Sequence, residues 1–227
     1  MYNKEGARTN GMQEQIVHYF VLDTLVDWEA VFAITFLNKA TYQALQLHPG
    51  RYQVKTVGES KAPITTSAGL TIVPDLTLAE LEPRESAMLI LPGADTWLEE
   101  PRTTVLEQAK AFLAAEVPVA AICGAVPGLG RVGILNGRKH TGNTLAELQL
   151  VAEYRGEALY QDQPAFTDGN LITARSIAPL EFAYQIFKKL EVYSQQALDA
   201  WYQVYKTSDS AHRAAFFKAA SEQRGRA

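Results

Sequence analysis

The chain has 227 residues, 47% hydrophobic and 20% charged, which is the length and composition of one substantial globular domain with a real core. A net charge of −4 gives no electrostatic case for nucleic acid or an anionic membrane as partner, and a single cysteine cannot form an intrachain disulfide. No apolar run approaches the roughly 18–20 residues of a membrane span, so a soluble, cytoplasmic protein is expected.

Residues 1–15 are polar and lack the apolar stretch of a signal peptide. They are expected to form a disordered leader or an expression remnant, with Met12 as an alternative start. Ile16 to Leu22 reads as a strand apolar enough to lie inside a sheet. Asp23 and Thr24 end it, and Asp27 caps an expected helix from about Trp28 to Leu45. Arg51 to Gly58 is the next strand. Pro63 to Pro74 reads as a short hairpin or turn-rich arm. Ala87 to Leu91 is another buried strand, broken by Pro92 and Gly93. Pro101 suits the first position of a helix, on one face of which Val105, Leu106, Ala109, Phe112 and Leu113 fall together.

Val119 to Ile122 then runs into Cys123. Small residues surround the thiol in Ala121-Ile122-Cys123-Gly124-Ala125, the small-x-nucleophile-x-small form of a strained strand-to-helix elbow. The thiol would point at the N-terminus of the next helix, whose dipole and free N–H groups favour a thiolate. The same stretch also fits an ordinary buried cysteine, because free cysteine is among the most buried residue types. Beyond it come a glycine-rich helix over Ala125 to Leu135 and a helical turn over Thr144 to Tyr154. A hairpin with the turn Asp168-Gly169 feeds the strand Leu171 to Ala174. Pro179 opens a helix to about Leu190, and two more helical segments cover Tyr193 to Tyr205 and Ser210 to Ala220.

Strands alternating with helices imply an α/β fold, an open and mostly parallel sheet with helices on both faces. Sites in such sheets form beyond the carboxyl ends of the strands, near the topological switch point. Three such ends carry suggestive residues: Asp27-Trp28-Glu29, Pro92-Gly93-Ala94-Asp95 and Cys123. Their convergence favours a functional cysteine.

Four stretches in one order now carry a resemblance: Leu91-Pro92-Gly93-Ala94-Asp95, Ala121-Ile122-Cys123-Gly124-Ala125, Gly133 to Thr141, and Asp168 to Arg175. Over about Ile16 to Leu190 the chain resembles the ThiJ/PfpI family of the class I glutamine-amidotransferase-like superfamily. The resemblance implies a flavodoxin-like fold for residues 16–191, with 192–227 a helical extension of the same domain. It implies Cys123 as the reactive residue and Glu29, early in the first helix, as a protonated acid donating to the thiolate. Burial beside a like charge would raise such a carboxyl. An acid there would also complement the helix dipole. An oxyanion hole would use the N–H groups of Gly93 or Ala94 and of Gly124.

Two departures stand out. Many relatives carry histidine directly after the cysteine, where this chain has Gly124. Others place a catalytic histidine shortly after a Gly-x-Lys-x-Thr stretch, where this chain has Asn143, with His140 three residues earlier. His140 and Asn143 are therefore only auxiliary candidates, and His140 also fits a structural role. Metal binding has no support from ligand spacing, and no cofactor is implied. The aromatic run Tyr193, Trp201, Tyr202, Tyr205, Phe216 and Phe217 suits packing, over the sheet or in a homodimer contact.

The reading is a cysteine-dependent enzyme acting on a small carbonyl or amide substrate, of amidase/protease-like or glyoxalase/deglycase type. A redox or electrophile sensor using the same thiol is the alternative. A binding or assembly protein using the C-terminal helices is the third.

Overall fold

A computed structural model describes residues 14–99 and 102–224. The first thirteen residues of the expected leader, and Pro101 as a helix opener, lie outside the described residues. Seven strands form the main sheet: β1 (Gln15–Phe20), β2 (Tyr52–Gly58), β5 (Leu76–Thr77), β6 (Ser86–Leu91), β7 (Val119–Ile122), β8 (Ala165–Asp168) and β9 (Leu171–Ala174). β3 (Ile64–Thr65) and β4 (Thr71–Ile72) pair separately and antiparallel, making the expected arm.

The sheet order is β5-β2-β1-β6-β7-β9-β8, parallel except where β8 pairs with β9. Its five inner strands follow the flavodoxin-like pattern, with the chain reversing direction between β1 and β6. Every residue of β7 and β9 is buried, as two-sided cover of central parallel strands requires.

Helices cover both faces. On one side α1 (Val31–Asn38) packs with α7 (Pro179–Lys189), and α7 with α8 (Gln195–Thr207). On the other lie α4 (Thr103–Ala114) and α5 (Ala125–Arg131). The buried stripe of α4 is Val105, Leu106, Ala109 and Phe112. Leu113, expected on that face, packs at its margin.

The expected helix from Trp28 to Leu45 is shorter and broken. α1 begins at Val31 and gives way at the extended Lys39 to the four-residue α2 (Ala40–Gln43). Side chains hold the break: Gln43 donates to the carbonyl oxygens of Leu37 (2.7 Å) and Tyr52 (2.9 Å), and Asn38 Oδ1 accepts from the Val54 amide. Asp27 caps nothing; its carboxylate accepts the Ala68 amide at 2.8 Å and ties the β3–β4 arm to the loop after β1. Among the described residues, no helix is long and apolar enough to cross a membrane.

The C-terminal aromatics mostly point inward. Trp201 is fully buried, edge-on to Phe36 (5.4 Å between centroids) and Phe187 (4.9 Å). Tyr193 meets Phe216 of α9 (Ser210–Arg224), and Gln223 fastens that helix by donating to Leu45 O at 2.8 Å. Tyr205 and Phe217 keep exposed faces.

Candidate active site

The strand ends at the reversal point bring Glu29, Gly93 and Cys123 together. The loop after β1 is stitched to the turn after β6: Val26 N–H donates to Gly93 O (2.9 Å), and Thr24 Oγ1 accepts from the amides of Asp95 (2.9 Å) and Thr96 (3.3 Å). That stitching carries Glu29 over the end of β6. Glu29 therefore sits in the turn ahead of α1 rather than in its first helical turn, fully buried.

The Gly93 amide donates to Glu29 Oε2 at 2.6 Å. A side chain at Gly93 has no room, because a Cβ there would lie 2.6 Å from that oxygen and 2.7 Å from Cys123 Cβ. The hydrogen bond bears on the expected oxyanion donors. The Gly93 N–H is committed to a carboxylate, while the Gly124 amide meets the sulfur.

Cys123 has φ +57°, the left-handed conformation expected of an elbow nucleophile and one that costs a non-glycine residue about 1–3 kcal/mol. Its amide donates to Ala174 O of β9 (3.1 Å), and its carbonyl accepts from Val126 (3.0 Å). These bonds hold the strained turn. The thiol is half-buried. Gly124 leaves space for Trp97: a Cβ at 124 would come within 3.4 Å of the indole Cδ1, and Trp97 Nε1 is fixed by Pro92 O at 2.7 Å.

Asn143 reaches the sulfur. Its Oδ1 accepts the Ser176 amide at 2.8 Å, which turns the Nδ2 donor toward Cys123 Sγ at 3.7 Å. His140 does not. It is fully buried, its Nδ1–H donates to Arg138 O (2.7 Å), and Nε2 must then accept from the Tyr154 hydroxyl (2.8 Å). Burial holds this imidazole neutral, below its ordinary range.

The electrostatics differ from the expected dipole-stabilised thiolate. Burial, then the Glu29 charge, push the Cys123 thiol up to about 11, against smaller opposing help from Asn143 and the Gly124 amide. Burial likewise pushes Glu29 up to about 7, despite its bond from Gly93. Glu29 Oε1 takes no nitrogen or oxygen donor, and the carboxyl's remaining side-chain partner is the thiol itself. Burial thus favours the protonated form of both groups, and the carboxyl gives up its proton before the thiol does. Among the described residues, no group of His, Cys, Asp and Glu could hold a metal ion.

Ser176, Thr24 and Trp97 were missed by sequence reasoning. Ser176 acts through its backbone amide, which leaves no composition signal, and Trp97 through an indole whose packing against Gly124 only the fold brings about. Thr24 acts through its hydroxyl, but from a turn where threonine is unremarkable.

A family model described as the DJ-1/PfpI family matches residues 16–189. A Bacillus subtilis (strain 168) protein named Uncharacterized protease YoaZ is 41% identical over 197 residues, 86% of this chain and 93% of that protein. A second from the same strain, Uncharacterized protease YdeA, is 31% identical over 173 residues, 76% of this chain and 82% of that protein. The crystal structure of the thiJ/pfpI family protein from Bacillus anthracis matches with a TM-score of 0.83 at 39% identity, covering 92% of this chain and 98% of that one.

Proposed function

The chain belongs to the DJ-1/PfpI family, and from that premise we propose that it is a cysteine-dependent enzyme acting on a small carbonyl or amide substrate. One observation carries the reading: a thiol on a strained elbow lies against a fully buried carboxyl whose affinity for a proton is raised to near neutrality. Cys123 Sγ forms a bond to the carbonyl carbon while its proton passes to Glu29. The carbonyl π pair moves onto oxygen, where the amides of Ala94 and Gly124 receive the charge. Asn143 Nδ2 steadies the sulfur before attack and cannot take a proton.

Glu29 is then the site's proton carrier. Addition to an aldehyde ends with that proton returned to the new alkoxide, and no leaving group has to be protonated. An amide needs more, because the departing nitrogen must collect the same proton from Glu29. The geometry therefore favours aldehyde-type carbonyl chemistry of the glyoxalase/deglycase kind. The protease names of two relatives support the hydrolytic branch. Turnover of methylglyoxal and of a chromogenic amide, each with Cys123→Ser as control, tests the proposal. Loss of a measurable rate in the variant is expected; equal rates in both proteins would overturn it.

A second reading rests on the half-buried exposure of the thiol. Cys123 would then be a sensor, oxidised by peroxide to the sulfenic and sulfinic acids. A peroxide-dependent mass increase on Cys123 without any turnover is the outcome that selects it.

A further inference from the structure

Thr65 to Ala68 of the β3–β4 arm lie along the loop that leads to Glu29 and are bonded to it in sequence. The Thr65 amide donates to Asp23 Oδ1 (2.8 Å), and its carbonyl accepts from the Thr24 amide (2.8 Å). The Ser67 hydroxyl donates to Thr24 O (2.7 Å) and the Ser67 amide to Leu25 O (2.9 Å). Ala68 N–H closes the row on Asp27 Oδ2 at 2.8 Å. The arm's own ladder consists of the pairs Ile64–Ile72 and Thr65–Thr71, and its Leu70 and Val73 are exposed. So short a hairpin is not stable alone, and arm and loop therefore order each other. Thr24 shows the loop under restraint, with φ +63° in the left-handed region.

Beyond Asp27 a single turn reaches Glu29, whose amide donates to Val26 O (3.4 Å). Gly93 holds the sheet side of this turn with both its backbone groups. Its carbonyl accepts from Val26 N–H (2.9 Å), and its amide donates to Glu29 Oε2 (2.6 Å). On the outer side Trp28 is exposed, which leaves Asp27 as the side chain that fastens the turn to the arm.

We propose that the β3–β4 arm is the clamp that keeps Glu29 against the Cys123 thiol, and that Asp27 is the positioning residue through which it acts. The inference rests on the proton-carrier role proposed for Glu29 and adds what sets its place. Displacing a catalytic group by a fraction of its reach slows the chemistry steeply.

Asp27 also brings a charge, and it acts with Glu29 on the Tyr19 hydroxyl. Two variants separate charge from contact: Asp27→Ala removes both, whereas Asp27→Asn keeps an oxygen for the Ala68 amide. The Gly93 amide proton, in its 2.6 Å bond to Glu29, reports the place of the carboxyl by NMR without any turnover. In Asp27→Ala it should shift upfield, and iodoacetamide alkylation of Cys123 at pH 7 should fall at least fivefold. Asp27→Asn should restore both. Ser67→Ala, an exposed change that removes the bond to Thr24 O, should shift the same proton upfield and decides the matter if Asp27→Ala does not fold. A Gly93 proton unmoved in the deciding variant, or moved equally in Asp27→Ala and Asp27→Asn, overturns the clamp. A proton that moves in Asp27→Ala alone, with alkylation unchanged, sustains the clamp and removes Glu29 from the proton transfer instead.

Discussion

Glu29 and Gly93 are matched to each other: the carboxylate takes the glycine amide at 2.6 Å, and only a residue without a side chain permits that approach. Gly93→Ala would place a methyl 2.6 and 2.8 Å from the two carboxylate oxygens and 2.7 Å from Cys123 Cβ. Overpacking of this kind costs about 1–3 kcal/mol. Urea unfolding should show that loss, and Cys123 alkylation at pH 7 should slow at least tenfold as Glu29 is pushed off the thiol. A wild-type rate in Gly93→Ala would mean that the carboxyl does not need this position.

Asn143 presents a donor to sulfur because Ser176 holds its oxygen. Asn143→Asp keeps the shape and the Ser176 bond but turns an anionic oxygen toward Sγ. The thiol should become harder to ionise, with alkylation at pH 7 falling roughly tenfold, about 1.4 kcal/mol. An unchanged rate would remove Asn143 from the site.

Trp201, on α8, packs against aromatic side chains of α1 and α7. Trp201→Ala, at a fully buried position between Phe36 and Phe187, should cost about 3–5 kcal/mol of stability in urea unfolding. Alkylation of the protein that stays folded should remain within twofold of wild type. A larger change would tie the C-terminal helices to the site.

Much of this was legible in the chain, for physical reasons that differ by residue. Val119 to Ile122 had to be a central strand because it is apolar on both faces, and the small neighbours of Cys123 announced the positive φ. The hairpin turn Asp168-Gly169 and the opening Pro179 were equally plain. What stayed hidden were contacts between segments distant in sequence. Glu29 to Gly93 spans 64 residues, and Asn143 to Ser176 spans 33. Asn38 and Gln43 broke the first helix by bonding sideways, which helical periodicity does not reveal. The thiol's raised proton affinity was hidden for the same reason, since it comes from burial and a carboxyl brought in by the fold.

His18, buried in β1 with Nδ1 2.7 Å from Ser86 Oγ, makes stability depend on acid. Burial lowers its pKa from 6.5 to about 4. The unfolded chain therefore binds the extra proton first, and stability falls as pH drops from about 6.5 toward 4, by up to about 3 kcal/mol. His18→Asn should show a shallower loss than wild type in urea unfolding between pH 7 and 4.5. Glu29 contributes oppositely in the same window, but equally in both proteins. Parallel losses would mean that His18 is charged in the native state.

Proton transfer from Cys123 to Glu29 is tested most directly by the pH dependence of iodoacetamide alkylation in wild type and Glu29→Gln. Glu29 must lose its proton before it can take the one on sulfur, so the wild-type rate should rise with a midpoint near 7. In Glu29→Gln that acceptor is gone, and the midpoint should move to the ordinary thiol value of about 8.5 or above. A wild-type rate that stays low until the thiol titrates near 11, with no midpoint near 7, would contradict the account.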